Sequence, residues 1–256
     1  MGLWTTTHAI TLIPAIAVMI LAAAILRKAI GDKPLKIRMI PYQVLACIIV
    51  ALEIGKQLVS FSRGYDLYHI PLHFCSLFIF TMPVMAFYNG KHKNTVTAIT
   101  SAISASLFLL MLIYPNLIYG EWNVKNFFVD FLDFHTVAFH NIVMFAFLLI
   151  VFLGLHTPDT KKDPKAALLF ILCFCVVSST MAQILKTNYA NYYTCNIPAL
   201  EEVRVSLQGV IGVVPTQILY IIIVSVLNLL FVLMSYWIYY LLNCLFGKKA
   251  AKEQTA

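Results

Sequence analysis

Long runs of apolar residues, separated by short polar stretches, dominate this chain. Runs long enough to cross about 30 Å of hydrocarbon occur at seven places, which are residues 9–26, 40–62, 70–88, 95–114, 134–155, 166–187 and 214–245. This pattern predicts an all-α, polytopic membrane protein with seven transmembrane helices. We expect a single transmembrane domain over residues 1–247 and a disordered cytoplasmic tail over 248–256.

Basic residues between the apolar runs predict the orientation of the chain. The segments 27–39, 89–94 and 156–165, together with the tail, hold 13 of the 18 Lys and Arg residues, whereas the alternate loops hold only Arg63, Lys125 and Arg204. Because Lys and Arg accumulate on the cytoplasmic side, the N-terminus is expected outside and the C-terminus in the cytoplasm, as in a multi-pass protein of the cell membrane.

The composition excludes a soluble globular protein. The chain is 61% hydrophobic and 11% charged, against about 25% charged residues in soluble domains. The net charge of +7 is explained by topology, and nothing indicates a nucleic-acid partner. The six cysteines include no Cys-x-x-Cys pair, which argues against a disulfide scaffold or a zinc ribbon; we expect no bridge between Cys75 and Cys195.

Polar side chains gather at one level of the predicted bundle, near the outer leaflet. Helical spacing places Glu53, Lys56, Gln57 and Ser60 on one face of span 2. The same spacing groups His69, His73 and Ser76 in span 3, and Asp133, Thr136 and His140 in span 5, with His135 turned away; Gln183 and Lys186 end span 6, and Gln217 begins span 7. Ionisable groups inside a membrane are costly and usually face a cavity. A polar cavity is therefore predicted, although a self-neutralised Glu53–Lys56 pair that only packs the bundle is an equally simple interpretation.

Two loops are expected on the same outer side as these polar groups. The stretch 115–133 is rich in aromatic residues, which suits an interfacial belt, and the stretch 188–213 is predicted to cover the cavity. Gly209, Gly212 and Pro215 predict a broken start to span 7.

A cysteine nucleophile is the most specific chemistry available here. Cys75 and His140 are both expected about 8–10 Å below the outer boundary, at 1.5 Å per residue, so they could form a dyad with Asp133 or Asp130 as orienting groups. His73 is two residues from Cys75, about 200° around a helix, and is expected to point away. A zinc site made of His69, His73, His140 and Cys75 is the competing use of the same atoms.

The sequence around Cys75 resembles a known family. Ile70-Pro71-Leu72-His73-Phe74-Cys75-Ser76-Leu77 is similar to the Leu-Pro-Leu-His-Leu-Cys-Ser motif of the YwaF-type bacterial integral membrane proteins, which are related to the eukaryotic transmembrane protein 164 acyltransferases. Phe127-Phe128 followed by His135 and His140, and Thr187-Asn188-Tyr189 followed by Pro198, extend the likeness over spans 2 to 7. The resemblance implies a seven-span fold, with Cys75 as the acyl-accepting nucleophile and a downstream histidine, His140 or else His135, as its partner.

These observations lead to one functional hypothesis and one alternative. The hypothesis is a phospholipid or lysophospholipid acyltransferase that needs neither metal nor cofactor, with Cys75 as nucleophile and His140 as general base. Its expected substrate-binding residues are His73, Glu53, Lys56, His69, His135, Gln183, Lys186, Asn188, Tyr189 and Gln217. The alternative is a non-enzymatic seven-helix transporter or receptor that binds a small polar or anionic ligand through Glu53, Lys56 and Lys186.

Overall fold

A computed structural model describes residues 3–246 of the chain, and every regular element in that range is helical. The prediction of an all-α protein is confirmed. The predicted tail at 248–256 lies outside the described residues. The helices are α1 (Thr6–Ile30), α2 (Leu35–Arg38), α3 (Ile40–Ser62), α4 (Leu77–Phe87), α5 (Lys93–Ile113), α6 (Pro115–Ile118), α7 (Glu121–Lys125), α8 (Phe131–Phe152), α9 (Lys162–Leu185), α10 (Pro198–Ile211) and α11 (Val213–Phe246), with short 3₁₀ turns at Leu67–His69, Phe74–Ser76 and Tyr189–Asn191.

Six helical segments in the described range are long and apolar enough to cross a membrane. They are α1, the segment Leu35–Ser62, α5, α8, α9 and α11. Local signals fix several of their ends: the Thr5 side chain accepts from the amide of His8 at the start of α1, and the Asp130 side chain caps α8. Gly212, at φ +90°, separates α10 from α11, so the predicted break before the last span is confirmed. Residues 198–211 are helical, where the sequence suggested only a covering loop.

The third apolar run begins differently from the prediction. A continuous helix from residue 70 was expected, but Ile70 and His73 have extended backbone angles, and the helical turns start at Phe74. Pro71 explains this, because proline disfavours helical geometry in the residue before it and lacks an amide proton. The predicted stripe of His69, His73 and Ser76 on one helix face is therefore wrong.

The central helix of the bundle is α5, which packs against α4, α8, α9 and α11. Its buried surface is made largely of small residues, which let helices approach closely in a membrane. The hydroxyls on this surface donate to the carbonyl four residues earlier, so they need no partner from another helix; they belong to Thr97, Thr100, Ser101, Ser104 and Ser106.

The loops lie at two opposite ends of the bundle, and hydrogen bonds between distant segments connect the loops at each end. At the basic end, Arg38 Nη1 donates to the carbonyl of Leu153 at 2.6 Å and the Tyr236 hydroxyl donates to the carbonyl of Asp159 at 3.0 Å. At the opposite end, Arg63 Nη1 lies 2.6 Å from Asp130 Oδ2. We call the second end the polar end, because the candidate site residues lie towards it.

Candidate functional site

Glu53 is the centre of a buried polar cluster between α3 and α8. Its Oε1 lies 2.8 Å from Lys56 Nζ and accepts from Gln57 Nε2 at 2.7 Å, and its Oε2 lies 3.5 Å from His135 Nε2. The side chains of Glu53, Lys56 and His135 are 9%, 13% and 8% exposed. The ion pair expected from the spacing of Glu53 and Lys56 is present. His135, which the sequence placed on another face of its helix, is part of the cluster.

A glycine allows the two helices to meet closely at this level. A Cβ atom on Gly55 would lie 2.8 Å from Cζ of Phe131, which is closer than real Cβ contacts. A side chain at 55 would therefore require the end of the Phe131 ring to move.

Gln57 extends the cluster to the segment 67–76. Its Nε2 also donates to the carbonyl of His69 at 2.9 Å, and its Oε1 accepts from the Tyr65 hydroxyl at 2.9 Å. Ser60 Oγ is hydrogen-bonded to His69 Nδ1 at 2.5 Å. His69 is thus attached to α3 by both its backbone and its ring.

Other hydrogen bonds hold the non-helical part of this segment. Ser178 Oγ on α9 donates to the carbonyl of Leu72 at 2.9 Å, and the Tyr189 hydroxyl donates to the carbonyl of Leu67 at 2.5 Å. Backbone groups without helical partners are costly in a membrane unless protein satisfies them. These two contacts supply such partners and fix the chain just before Cys75.

Cys75 lies in the first turn of the helical segment Phe74–Phe87. It is half-buried, and Lys56 and Glu53 are its charged neighbours. A helix N-terminus favours a thiolate over a thiol, whereas the charge of Lys56 is offset by its pairing with Glu53 at 2.8 Å. A base close to the thiol is therefore needed if Cys75 is a nucleophile.

His73 and His140 have their tautomers fixed by backbone carbonyls. His140 Nδ1 donates to the carbonyl of Thr136 at 2.6 Å, and His73 Nε2 donates to the carbonyl of Tyr68 at 3.1 Å. Because a carbonyl only accepts, the other ring nitrogen of each neutral imidazole carries a lone pair. His140 can therefore act as a base through Nε2, and His73 through Nδ1.

Cys75 and His140, the predicted dyad, share Lys56 as an electrostatic neighbour. No hydrogen bond joins Cys75 to His140 in the described part of the chain, although His73, His135 and Lys56 are electrostatic neighbours of His140. The predicted orienting residues are engaged elsewhere, since Asp133 Oδ1 accepts from Asn123 at 2.5 Å and Asp130 pairs with Arg63. The carbonyl of Thr136 takes the orienting role instead. The helical argument that turned His73 away from Cys75 does not apply, because residues 70–73 are not helical.

The remaining predicted binding residues build a neighbouring loop. Gln183 Nε2 and Gln217 Nε2 both donate to the carbonyl of Tyr192 at 2.9 Å, and Asn188 Oδ1 accepts from the amides of Tyr193 and Thr194 at 3.1 Å. Lys186 is exposed and ends α9 in the left-handed conformation. Tyr189 differs from these residues, because it contacts the segment before Cys75: its ring centroid lies 5.5 Å from that of His73.

Tyr119 is a site residue that the sequence did not reveal. Its buried ring lies 6.1 Å from that of His140. Its carbonyl accepts from Nε2 of the fully buried His8 at 3.0 Å. The sequence assigned this loop to an interfacial belt, and no periodic signal connects a loop residue to a helix face twenty positions later. The one available hint was His8, a polar residue at the start of an apolar run.

Disulfides and metal sites are absent from the described residues 3–246. All six cysteines are free, including Cys75 and Cys195. Within residues 3–246, no group of three His, Cys, Asp or Glu side chains is arranged to hold a metal ion, so the zinc alternative finds no support in the geometry.

Fold and site together define a polytopic α-helical membrane protein with a polar site towards one end of its bundle. The model of the TMEM164 family matches residues 3–246, and this chain belongs to that family. The resemblance to transmembrane protein 164 relatives is thereby confirmed at the level of the family. No curated protein and no solved structure matches the chain significantly.

Proposed function

We propose that this protein is a phospholipid acyltransferase that forms a thioester on Cys75. The observation that carries the proposal is the position of Cys75 in the first turn of a helix, with Lys56 as an electrostatic neighbour that it shares with His140, whose Nε2 keeps a lone pair. These are the conditions that activate a cysteine nucleophile. Membership of the TMEM164 family supports the same activity by analogy.

The reaction proceeds in two half-reactions. His140 Nε2 takes the proton of the Cys75 thiol, and the sulfur attacks an acyl ester carbonyl of a phospholipid. The carbon–oxygen ester bond breaks, and the departing lysophospholipid alkoxide takes the proton from His140. In the second half-reaction, the hydroxyl of an acceptor lysophospholipid gives its proton to His140 and attacks the thioester, which regenerates the thiol.

Lys56 is the residue that we assign to the negative charge of the substrate or the transition state. Its ammonium group is paired with Glu53 and lies near Cys75, so it can stabilise an oxyanion or contact a lipid phosphate. The transporter or receptor hypothesis needs Glu53, Lys56 and Lys186 as coupling or ligand-binding charges of one cavity. Lys186 is exposed at the end of α9 and takes no part in the cluster.

The activity is tested with labelled lipid in vesicles. The purified chain receives phosphatidylcholine with a labelled acyl chain and unlabelled lysophosphatidylcholine. Wild type should move the label to the acceptor and give a hydroxylamine-sensitive acyl group on Cys75, seen by peptide mass spectrometry. Cys75→Ala should abolish transfer, His140→Ala should lower it by about 10²–10⁴-fold, and the double variant should be no worse than Cys75→Ala.

His73 is the matched control for the assignment of the base. His73→Ala should lower turnover less than His140→Ala does, while Cys195→Ala should leave it unchanged. If His73→Ala is inactive and His140→Ala keeps full turnover, the base is His73 and the role of α8 in catalysis is wrong. If Cys75→Ala still transfers acyl groups, the thioester mechanism is wrong.

A seven-span topology, with the N-terminus outside and the C-terminus in the cytoplasm of a cell, accompanies this proposal. The carbonyl of Leu67 is bonded to Tyr189 at the polar end, whereas the carbonyl of Ala86 is bonded to Gln43 at the basic end. The chain between them therefore runs from one end to the other. The helical segment Phe74–Phe87 has 14 residues, about 21 Å at 1.5 Å per residue, and the non-helical residues 70–73 lengthen it towards the roughly 30 Å of hydrocarbon that a seventh span has to cross.

The orientation is tested by cysteine labelling in whole cells. Asn126 and Thr160 are exposed and lie in loops at opposite ends. Cysteines placed at these two positions in a background without the native thiols should react with an impermeant reagent from outside and from inside, respectively. Reaction of both from one side would contradict the topology.

A further inference from the structure

A groove between α9 and α11 lies away from the cysteine site, towards the basic end of the bundle. It encloses about 470 Å³, within the range of roughly 300–1,000 Å³ typical of ligand sites. One lysine and six leucines line it, namely Lys165, Leu168, Leu169, Leu172, Leu229, Leu230 and Leu233. The leucine wall can contact an acyl chain, and the lysine at its edge can contact a phosphate, so the groove matches the two parts of a phospholipid.

The groove runs parallel to the expected direction of a lipid acyl chain. Lys165 is in the first turn of α9, and Leu172 lies seven residues further along the helix, which corresponds to about 10 Å. One leaflet contributes about 15 Å of hydrocarbon. A headgroup at Lys165 would therefore place its acyl chain along most of the leucine wall.

The charges around Lys165 favour an anionic headgroup. Lys161 and Lys162 are exposed beside it, and no partner for the Lys165 side chain appears among the described contacts. The buried carboxylate of Asp163 is already engaged, since its Oδ2 lies 2.8 Å from His156 Nε2 and accepts from the amide of Asp159 at 2.8 Å. Asp159 is exposed, and its Oδ1 accepts from the amides of Lys161 and Lys162. Its single negative charge faces three lysines in this segment, so positive charge is in excess there.

We propose that the groove between α9 and α11 binds an anionic diacyl phospholipid, with the headgroup phosphate at Lys165 and one acyl chain against the leucines. Basic pockets between transmembrane helices on the cytoplasmic side are suited to such headgroups. The site is separate from the proposed acyl-transfer site, which lies towards the other end of the bundle, and it stands whether or not the chain is an enzyme.

The charge part of the proposal is tested by native mass spectrometry of the full chain in detergent. The chain is titrated with phosphatidylglycerol and, in parallel, with phosphatidylcholine of the same acyl chains. We expect phosphatidylglycerol to bind more tightly, and Lys165→Ala to weaken its first binding step about fivefold, as expected for one lysine near a membrane surface. Lys91→Ala removes an exposed cation in the turn before α5 and should leave that step unchanged. Equal affinities for the two lipids, or equal effects of the two variants, would overturn the proposal.

The apolar part is tested by filling the groove. Leu230→Trp adds bulk within it, whereas Leu219→Trp adds the same bulk on an exposed part of α11 outside it. Only Leu230→Trp should reduce phosphatidylglycerol binding, with melting temperatures that remain close to wild type for both. If Leu230→Trp instead dissociates a dimer of the chain and lipid binding is unchanged, the groove is a contact between two copies and the lipid proposal fails.

Discussion

The Glu53–Lys56 pair gives the sharpest test of how the site is stabilised. Both side chains are largely buried, and the carboxylate also accepts from Gln57. Removing one member of a buried pair leaves an uncompensated charge, which typically costs about 3–5 kcal/mol. We expect Glu53→Gln and Lys56→Met each to lower the free energy of unfolding by about 3 kcal/mol, which is equivalent to a drop of about 6–12 °C in melting temperature.

The double variant distinguishes a coupled pair from two independent side chains. Glu53→Gln with Lys56→Met removes both charges, so it should cost about 2 kcal/mol or less, well below the sum of the single variants. The measurement is unfolding in mixed micelles of increasing denaturing detergent, followed by circular dichroism. Glu121 and Lys125 are the matched control, because they form an exposed pair at the same distance of 2.8 Å. Glu121→Gln keeps an oxygen that can accept from the Thr7 hydroxyl and should leave the free energy of unfolding close to that of wild type.

The same variants separate stability from chemistry. If Lys56 contacts the substrate, the double variant should recover stability and remain inactive in acyl transfer. Additive losses in the two single variants, or single variants within 0.5 kcal/mol of wild type, would refute the assignment of a buried coupled pair.

Three further perturbations address the surroundings of the site. Arg63 lowers the pKa of Asp130, so the contribution of this carboxylate to stability is present above about pH 4 and is lost as the pH falls through its lower folded pKa. Asp130→Asn keeps a good helix cap and should therefore cost only about 0.5 kcal/mol at pH 7, with no difference from wild type at a pH below the folded pKa, measured by unfolding across pH. Tyr189→Phe removes the hydroxyl that holds the segment before the nucleophile and should slow alkylation of the thiol while the melting temperature falls by a few degrees at most, about 1 kcal/mol. His156→Phe removes the histidine partner of the buried Asp163 carboxylate, which keeps the hydrogen bond from the amide of Asp159, and should destabilise the bundle by about 3 kcal/mol, whereas His156→Phe with Asp163→Asn should recover part of that loss.

The helical class, the positions of the long helices and the spacing of the polar groups along them can be predicted from the sequence alone. These properties are local, because a helix that crosses hydrocarbon must be apolar over about 20 residues and must satisfy its own backbone. The 3.6-residue period then places Glu53, Lys56 and Gln57 on one face of α3. The ion pair of Glu53 and Lys56 follows from that spacing and is present in the structure.

The partners of these side chains, in contrast, depend on how the helices and loops pack against one another. Pro71 keeps residues 70–73 out of the helix. The hydrogen bonds from Ser178 and Tyr189 then satisfy carbonyls of this non-helical region inside the bundle. Gln183 and Gln217 were predicted to bind substrate because of their depth, yet both hold the carbonyl of Tyr192. Depth is a property of one helix, whereas the partner of a polar group depends on which other segment packs against it, and no spacing within a single apolar run contains that information.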